Sequence, residues 1–238
     1  MFIFNVNVSK KNILLQHTVI FLVNLHDKRT HAVNMSVAIV KYNAGNIYSV
    51  VNALRRLGVE PVITDSSEEL AEASHVIFPG QGSAKTTMEY LRSHGLDDVI
   101  RSLRQPVLGI CVGQQLLCAH SEEGDVDCIG IFPESVRKFT PTDRELKVPE
   151  MGWNRLHDLS SPLFKDVKEG DYVYFVHSFY VPKCEFTIAT ADYSVPYSAA
   201  LHCDNFWSVQ FHPEKSGKVG ERILGNFLEM DSAKEKKA

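Results

Sequence analysis

Apolar residues follow two alternating spacings along the chain from Met35 onward. Short continuous apolar runs predict buried strands, and they lie at 36–40, 59–64, 74–78 and 107–110. Between these runs, apolar positions three and four residues apart predict helices over 47–57, from Ser66, over 86–94 and over 96–104. Because strands that alternate with helices are typical of a parallel sheet, the pattern predicts an α/β fold.

The segment around Cys111 carries the strongest chemical signal. Cys111 lies between the predicted strand 107–110 and a predicted helix over 112–120, with glycines at 109 and 113. This spacing is typical of a nucleophile elbow, in which a sharp turn from strand to helix exposes the nucleophile and glycines allow close backbone crossing. A helix N-terminus also favours a thiolate. The alternative is that Cys111 is only a small buried apolar residue.

A second motif supplies a base for that thiol. The alternating pattern over 206–211 predicts a strand, and His212, Pro213 and Glu214 follow it directly. Proline ends the strand, so the imidazole and the carboxylate are expected to leave the sheet edge together. Cys111, His212 and Glu214 thus form a catalytic triad by role, as nucleophile, general base and orienting carboxylate.

Composition excludes several other classes of protein. The 238 residues are 44% hydrophobic and 23% charged, as in soluble globular proteins, and the net charge of −4 argues against nucleic-acid binding. Five scattered cysteines without a C-x-x-C pair favour neither disulfides nor zinc, and indicate a reducing cytoplasm. Residues 202–204 lack the further ligands that a metal site requires. The loop 79–82 lacks the further residues that a phosphate-binding loop requires.

Residues 1–34 differ from the rest of the chain. They are rich in asparagine and carry four basic residues against one acidic residue. Their apolar run is too short and too interrupted for a membrane span or a signal peptide, so no membrane association is expected. We expect 1–34 to be an atypical leader preceding a natural start at Met35, the alternative being an organelle-targeting segment. The single domain is expected over 35–231, with a charged tail over 232–238.

Three separated motifs resemble the class I glutamine amidotransferases, and the resemblance spans roughly 35–230. They are the segments 109–115 and 210–214, and the loop 79–82, which resembles the oxyanion segment of that family. The resemblance implies a flavodoxin-like α/β domain with a mostly parallel central sheet flanked by helices. It also implies glutamine hydrolysis by Cys111, His212 and Glu214, without a cofactor or metal.

Further segments resemble one subfamily, the glutaminase subunits of imidazole glycerol phosphate synthases in histidine biosynthesis. These segments are 41–46, 147–154, 174–180 and 212–216. The resemblance implies a heterodimer with a cyclase subunit that folds as a (β/α)₈ barrel and receives the ammonia. The alternatives are a glutaminase subunit of another synthase, in the anthranilate or pyridoxal phosphate pathway, and a free-standing cysteine hydrolase or a binding protein that has lost catalysis.

The resemblance also implies roles for further residues. The oxyanion would be held by the backbone of Val112 and of Gly82 or Gln81, and the substrate by Gln115 and by the backbone at His177, Ser178 and Phe179. The partner interface would contain Met151, Trp153, Asn154 and Tyr174.

Two of these side chains have a structural alternative. Gln115 could lie on a helix surface and Trp153 in the core. Gln81 and Gln114, which depart from the family pattern, are expected to face solvent.

Overall fold

A computed structural model describes residues 35–42, 47–80, 82–143 and 145–230. The chain divides into two units, residues 1–35 and 36–238, and all of the described secondary structure belongs to the second. The leader over 1–34 and the tail over 232–238 lie outside the described residues, so the predicted domain bounds stay predictions.

Helices and strands alternate through the first half of the described chain, and strands dominate the second half. The strands are β1 (Val37–Val40), β2 (Val62–Thr64), β3 (His75–Phe78), β4 (Val107–Ile110), β5 (Cys118–Ser121), β6 (Val126–Asp127), β7 (Phe132–Lys138), β8 (Glu150–Arg155), β9 (Tyr172–His177), β10 (Phe179–Tyr180), β11 (Thr187–Tyr193), β12 (Val195–Cys203) and β13 (Phe206–Val209). The helices are α1 (Ile47–Arg56), α2 (Ser67–Glu72), α3 (Ala84–Ser93), α4 (Leu96–Ser102), α5 (Val112–Leu117) and α6 (Gly217–Leu228), with short 3₁₀ turns at Pro162–Phe164 and Pro213–Lys215.

The central sheet has seven strands in the order β11-β12-β13-β4-β3-β1-β2. The pairs from β2 to β13 are parallel, whereas β12 pairs antiparallel with both β13 and β11. The mostly parallel sheet flanked by helices confirms the predicted fold class. Because β4 and β13 are parallel neighbours, their carboxyl ends deliver Cys111 and His212 to the same edge of the sheet.

Local sequence explains where several elements begin and end. The Ser66 side chain accepts a hydrogen bond from the Glu69 amide and so caps the start of α2. Gly58, just after α1, has a φ of 81°, a left-handed conformation that glycine adopts at little cost. The amphipathic helix α1 buries Val50 and Leu54, which lie four residues apart, in the core.

Two predicted elements differ from the structure by three residues at one end, and the others by at most two. The helix expected over 112–120 ends at Leu117, because the chain turns into β5 at Cys118 and pairs with β7 and β6. The strand expected over 59–64 begins only at Val62.

Two smaller sheets lie beyond the central one. Strands β10, β7, β5 and β6 form one sheet, and β8 and β9 form an antiparallel pair in which Trp153 lies opposite Tyr174. We call the pair β8–β9 the two-stranded ribbon. None of the helices in the described part of the chain is long and apolar enough to cross a membrane.

Candidate active site

Cys111 occupies a sharp turn between β4 and α5. Its φ is 53°, in the left-handed region that a non-glycine residue enters only at a cost. The turn is held on both sides: the Cys111 amide donates to Val209 O at 2.8 Å, and the Gln114 amide donates to Cys111 O at 3.0 Å. This strained strand-to-helix junction has the geometry predicted for a nucleophile elbow.

Glycines allow the loop after β3 to approach this turn. A Cβ added at Gly113 would lie 2.1 Å from Phe78 O, and one added at Gly80 would lie 2.5 Å from Val112 N. Non-bonded atoms do not approach a Cβ this closely, so neither position accepts a side chain without moving the backbone. The loop after β3 therefore lies directly against the N-terminus of α5, where backbone amides point outward.

His212 and Glu214 face each other at the end of β13. His212 Nδ1 lies 2.8 Å from Glu214 Oε1, and the exposed fractions of the two side chains are only 3% and 4%. The His212 amide donates to Tyr174 O at 2.9 Å, which fixes the backbone of the histidine against β9. The carboxylate thus engages Nδ1 and fixes the ring, whereas Nε2 has no hydrogen-bond partner among the described residues.

The electrostatics of His212 couple it to Cys111. Burial alone lowers the pKa of His212, but the nearby Cys111 sulfur and the hydrogen bond with Glu214 outweigh burial and raise the pKa from 6.5 to about 10. The arrangement therefore favours a protonated His212 imidazole beside the Cys111 sulfur at neutral pH.

The other four cysteines lack this environment. Burial raises the pKa of the Cys118 thiol, and it raises that of Cys128 to about 12. The pKa values of Cys184 and Cys203 are also raised, mainly by burial. These thiols are disfavoured as nucleophiles at neutral pH.

A buried amide pair joins Cys111 to the predicted substrate residue Gln115. Gln115 Nε2 donates to Gln210 Oε1 at 3.0 Å and to Phe179 O at 3.1 Å, and Gln210 Nε2 lies 3.6 Å from Cys111 Sγ. No role was predicted for Gln210 from the sequence. A glutamine near the apolar end of a predicted strand, two residues before His212, was the signal that could have identified it.

Helix α5 explains why both of its glutamines are buried. All six of its residues are buried, so it has no solvent face, and the surface alternative for Gln115 was wrong. The expectation that Gln114 faces solvent was also wrong: Gln114 is 0% exposed, and its amide atoms have no hydrogen-bond partner among the described residues. Gln81 lies outside the described residues.

The predicted substrate segment has most of its carbonyl groups engaged internally. Ser178 O accepts from the Phe139 amide at 3.0 Å, and Phe179 O accepts from Gln115 and from His177 Nδ1. The His177 ring is 1% exposed and lies against Glu150, so the structure turns this side chain away from solvent.

The predicted oxyanion residues are only partly brought together. Val112 N faces Gly80, a residue that sequence analysis did not select as a donor. Gly82 has a φ of 107°, and a Cβ added there would have Thr87 Oγ1 as its nearest neighbour, at 3.8 Å.

The predicted interface residues lie on the two-stranded ribbon. Met151 and Trp153 are 66% and 55% exposed, so the core alternative for Trp153 was wrong. Trp153 packs edge-on against Tyr174 with ring centroids 6.0 Å apart, and Asn154 Nδ2 donates to Glu150 Oε1 at 2.8 Å. Residues two apart in a strand share a face, so Met151 and Trp153 form one exposed apolar surface.

The ribbon also borders the catalytic candidates. Val176 O lies 3.9 Å from Cys111 Sγ, and Val176 is paired with Met151 across the ribbon. A protein that covers Met151 and Trp153 would therefore dock within a few residues of Cys111.

Comparison with known proteins agrees with this geometry. The family model "Glutamine amidotransferase class-I" matches residues 38–230. The chain is 61% identical over 196 residues to the imidazole glycerol phosphate synthase subunit HisH of Bacteroides thetaiotaomicron, a match that covers 82% of this chain and 100% of the relative. It is 43% identical over 197 residues to subunit HisH 2 of Legionella pneumophila strain Paris, covering 82% and 98%.

A solved structure shows the same fold. A protein of Thermoplasma acidophilum, provisionally named as a GMP synthase subunit, superposes with a TM-score of 0.64 at 22% identity, over 82% of this chain and 92% of that one. The motifs, the sheet order and these matches together show that the chain belongs to the class I glutamine amidotransferase family, in its HisH group.

Proposed function

We propose that this chain is the glutaminase subunit of imidazole glycerol phosphate synthase, acting in histidine biosynthesis in the cytoplasm. It hydrolyses glutamine to glutamate and ammonia, and the ammonia passes to a cyclase subunit that makes imidazole glycerol phosphate and aminoimidazole carboxamide ribonucleotide. The observation that carries the proposal is the strained Cys111 turn beside the buried His212–Glu214 pair. The names of relatives up to 61% identical support the choice of pathway.

The first half of the reaction is acylation of Cys111. The thiolate attacks the side-chain carboxamide carbon of glutamine, forming a C–S bond and a tetrahedral oxyanion. The His212 imidazolium gives its Nε2 proton to the amide nitrogen, the C–N bond breaks, and ammonia leaves. A pKa of about 10 suits this step, because the imidazole still holds a proton at neutral pH.

The second half is hydrolysis of the glutamyl thioester. His212, now neutral, takes a proton from water, and the hydroxide attacks the thioester carbon. The C–S bond breaks, the new carboxyl group releases its proton to solvent, glutamate leaves, and the imidazolium–thiolate pair is restored. Glu214 holds the ring orientation throughout and stabilises the imidazolium at 2.8 Å.

The oxyanion is assigned to the Val112 amide and to an amide of the loop after β3. Val112 N lies at the N-terminus of α5, where it has no partner earlier in the helix. One such donor is typically worth about 3 kcal/mol of barrier. The loop donor is Gly82 or Gln81, and the glycines at 80 and 82 allow its peptide to rotate when a partner docks.

Gln115 and the segment 177–179 are assigned to substrate binding. Both hydrogens of the Gln115 amide are used by Phe179 O and Gln210 Oε1, which leaves its Oε1 as an acceptor for the ammonium group of glutamine.

The partner is assigned as a (β/α)₈-barrel cyclase seated on Met151, Trp153, Asn154 and Tyr174. The exposed apolar face of the ribbon supports this position, since aromatic and methionine side chains are enriched in interface cores. Direct docking keeps ammonia from water, where it would be protonated and lost as a nucleophile.

Glutamate release tests the proposal. It is measured for the chain alone, with the cyclase subunit, and with the cyclase subunit and its nucleotide, using Cys111→Ala as the control. Turnover that depends on the partner and on Cys111 supports the proposal. Equal turnover with and without the partner would identify a free-standing hydrolase.

A further inference from the structure

A cluster of buried polar side chains lies between the ribbon and the predicted substrate residues. Glu150 begins β8, His177 ends β9, and Tyr197 belongs to β12. The exposed fractions are 4%, 5% and 0%, and the Tyr197 hydroxyl donates to Glu150 Oε2 at 3.0 Å. The catalytic steps described above use neither Glu150 nor Tyr197. Burying a carboxylate costs free energy unless hydrogen bonds or an opposite charge compensate for the lost water.

The cluster holds the His177 ring at both nitrogens. Nδ1 lies 2.7 Å from Phe179 O, and a carbonyl oxygen only accepts, so Nδ1 carries a proton. Nε2 lies 3.0 Å from Glu150 Oε2, on the opposite side of the ring. With both ends engaged, the imidazole has a single orientation.

His177 in turn fixes the Phe179 carbonyl that orients Gln115. Phe179 O has two lone pairs, and they are used by His177 Nδ1 and by Gln115 Nε2 at 3.1 Å. Because this oxygen accepts only, the Gln115 amide must turn its nitrogen toward it and its oxygen away. The orientation of Gln115 Oε1 therefore depends on a carbonyl that the Glu150–His177 pair holds.

We propose that Glu150 and His177 are positioning residues for glutamine binding, acting through Phe179 O on Gln115. The inference rests on the assignment of Gln115 to the substrate in the proposed function. Neither side chain touches the reacting atoms. Glu150 also accepts from Asn154, next to the exposed Trp153, so the same carboxylate connects the ribbon to the substrate residue.

The test uses the heterodimer with the cyclase subunit and two substitutions of different severity. Glu150→Gln removes the charge and keeps the shape, and Tyr197→Phe removes one donor to Glu150 and keeps the ring. Each is expected to raise KM for glutamine about tenfold while kcat changes less than about threefold, since a misplaced binding group weakens substrate binding. The matched control is Glu169→Gln, which makes the same change at an exposed carboxylate 4.0 Å from His157 and is expected to leave both constants unchanged.

A double-mutant cycle separates positioning from a purely structural role. In a Gln115→Ala background, Glu150→Gln is expected to have no further effect on KM, because the Gln115 side chain through which Glu150 acts is absent. A Glu150→Gln effect of the same size in both backgrounds would overturn the proposal, as would an unchanged KM in a folded variant. If Glu150→Gln does not fold, the same cycle with Tyr197→Phe decides.

Calorimetry of glutamine binding to the Cys111→Ala heterodimer provides a readout without turnover. The dissociation constant is expected to rise about tenfold on adding Tyr197→Phe, and an unchanged constant would overturn the proposal. If the heterodimer with Cys111 intact releases no glutamate, the proposed function fails, whereas this binding comparison still reports on positioning.

Discussion

The amide of His212 donates a hydrogen bond to the carbonyl oxygen of Tyr174 at 2.9 Å. His212, the proposed general base, is therefore hydrogen-bonded to the ribbon that carries the exposed Trp153. Tyr174 packs against Trp153 on one side, and its strand passes Cys111 at Val176 on the other. The proposed docking surface and the catalytic candidates therefore share one strand, β9. Substitutions in the proposed docking surface and at the catalytic candidates test whether the two also share a function.

Glu214→Gln is expected to lower kcat for glutamine hydrolysis by about 10²- to 10⁴-fold while preserving the fold. An amide in place of the carboxylate fails to stabilise the imidazolium and permits the wrong ring tautomer. Steady-state kinetics of the heterodimer measure the loss, and circular dichroism checks the fold. Glu221→Gln, at a carboxylate that pairs with Arg56 on the surface, is the matched control. A Glu214→Gln enzyme with wild-type kcat would remove Glu214 from the triad.

His212 is expected to stay protonated well above neutral pH. Its pKa is raised from 6.5 to about 10, so its contribution to folding stability is fully present below pH 6.5 and is lost as the pH rises through about 10. Nitrogen NMR of the imidazole measures the titration directly. Cys111→Ala removes the neighbouring sulfur and is expected to lower the pKa of His212. Titration of His212 near 6.5 in the unsubstituted protein would contradict the imidazolium–thiolate pair.

Trp153→Ala is expected to weaken activation by the cyclase subunit at least tenfold without a large loss of stability. The side chain is 55% exposed, so its removal opens no cavity in the core. Phe175→Ala, at a fully buried position on the same ribbon, is expected to cost about 3–5 kcal/mol of unfolding free energy and calibrates a core truncation. An equally large loss from Trp153→Ala would show that Trp153 serves the fold.

Gly113→Ala is expected to disrupt the Cys111 turn. The added methyl would lie 2.1 Å from Phe78 O, so the loop after β3 must move and glutaminase activity is expected to fall by at least a hundredfold. Gly225→Ala in α6 is the control, because no atom lies within 4 Å of its added Cβ. That change is expected to raise the unfolding free energy by about 0.5–1 kcal/mol. Full activity in Gly113→Ala would contradict the close approach of the loop.

Sequence periodicity predicted the parallel half of the sheet, because β1, β3 and β4 are continuous apolar runs bounded by turn residues. It also placed Cys111 and His212 at one edge, since both follow strands directly. It did not predict the extent of α5. The sequence after Leu117 retains helical composition, but Cys118 pairs with Phe132 in a second sheet, and that tertiary pairing ends the helix.

The polar contacts around the predicted substrate residues could not be predicted from the sequence. Glu150 and His177 are 27 residues apart, and Gln115 and Gln210 are 95 apart. No local pattern indicates such pairs. Likewise, the sequence gives Gln114 the pattern of a helix-surface residue. Only the structure shows that every residue of α5 is buried.

In the proposed function, ammonia released at Cys111 is used by a docked cyclase. Glutamine labelled with heavy nitrogen on its side-chain amide, supplied to the heterodimer in the presence of excess unlabelled ammonium, measures this directly. Direct transfer predicts heavy nitrogen in imidazole glycerol phosphate, and none when the Cys111→Ala variant replaces the unsubstituted chain. Product that carries only unlabelled nitrogen, while labelled ammonia accumulates in solution, would contradict it.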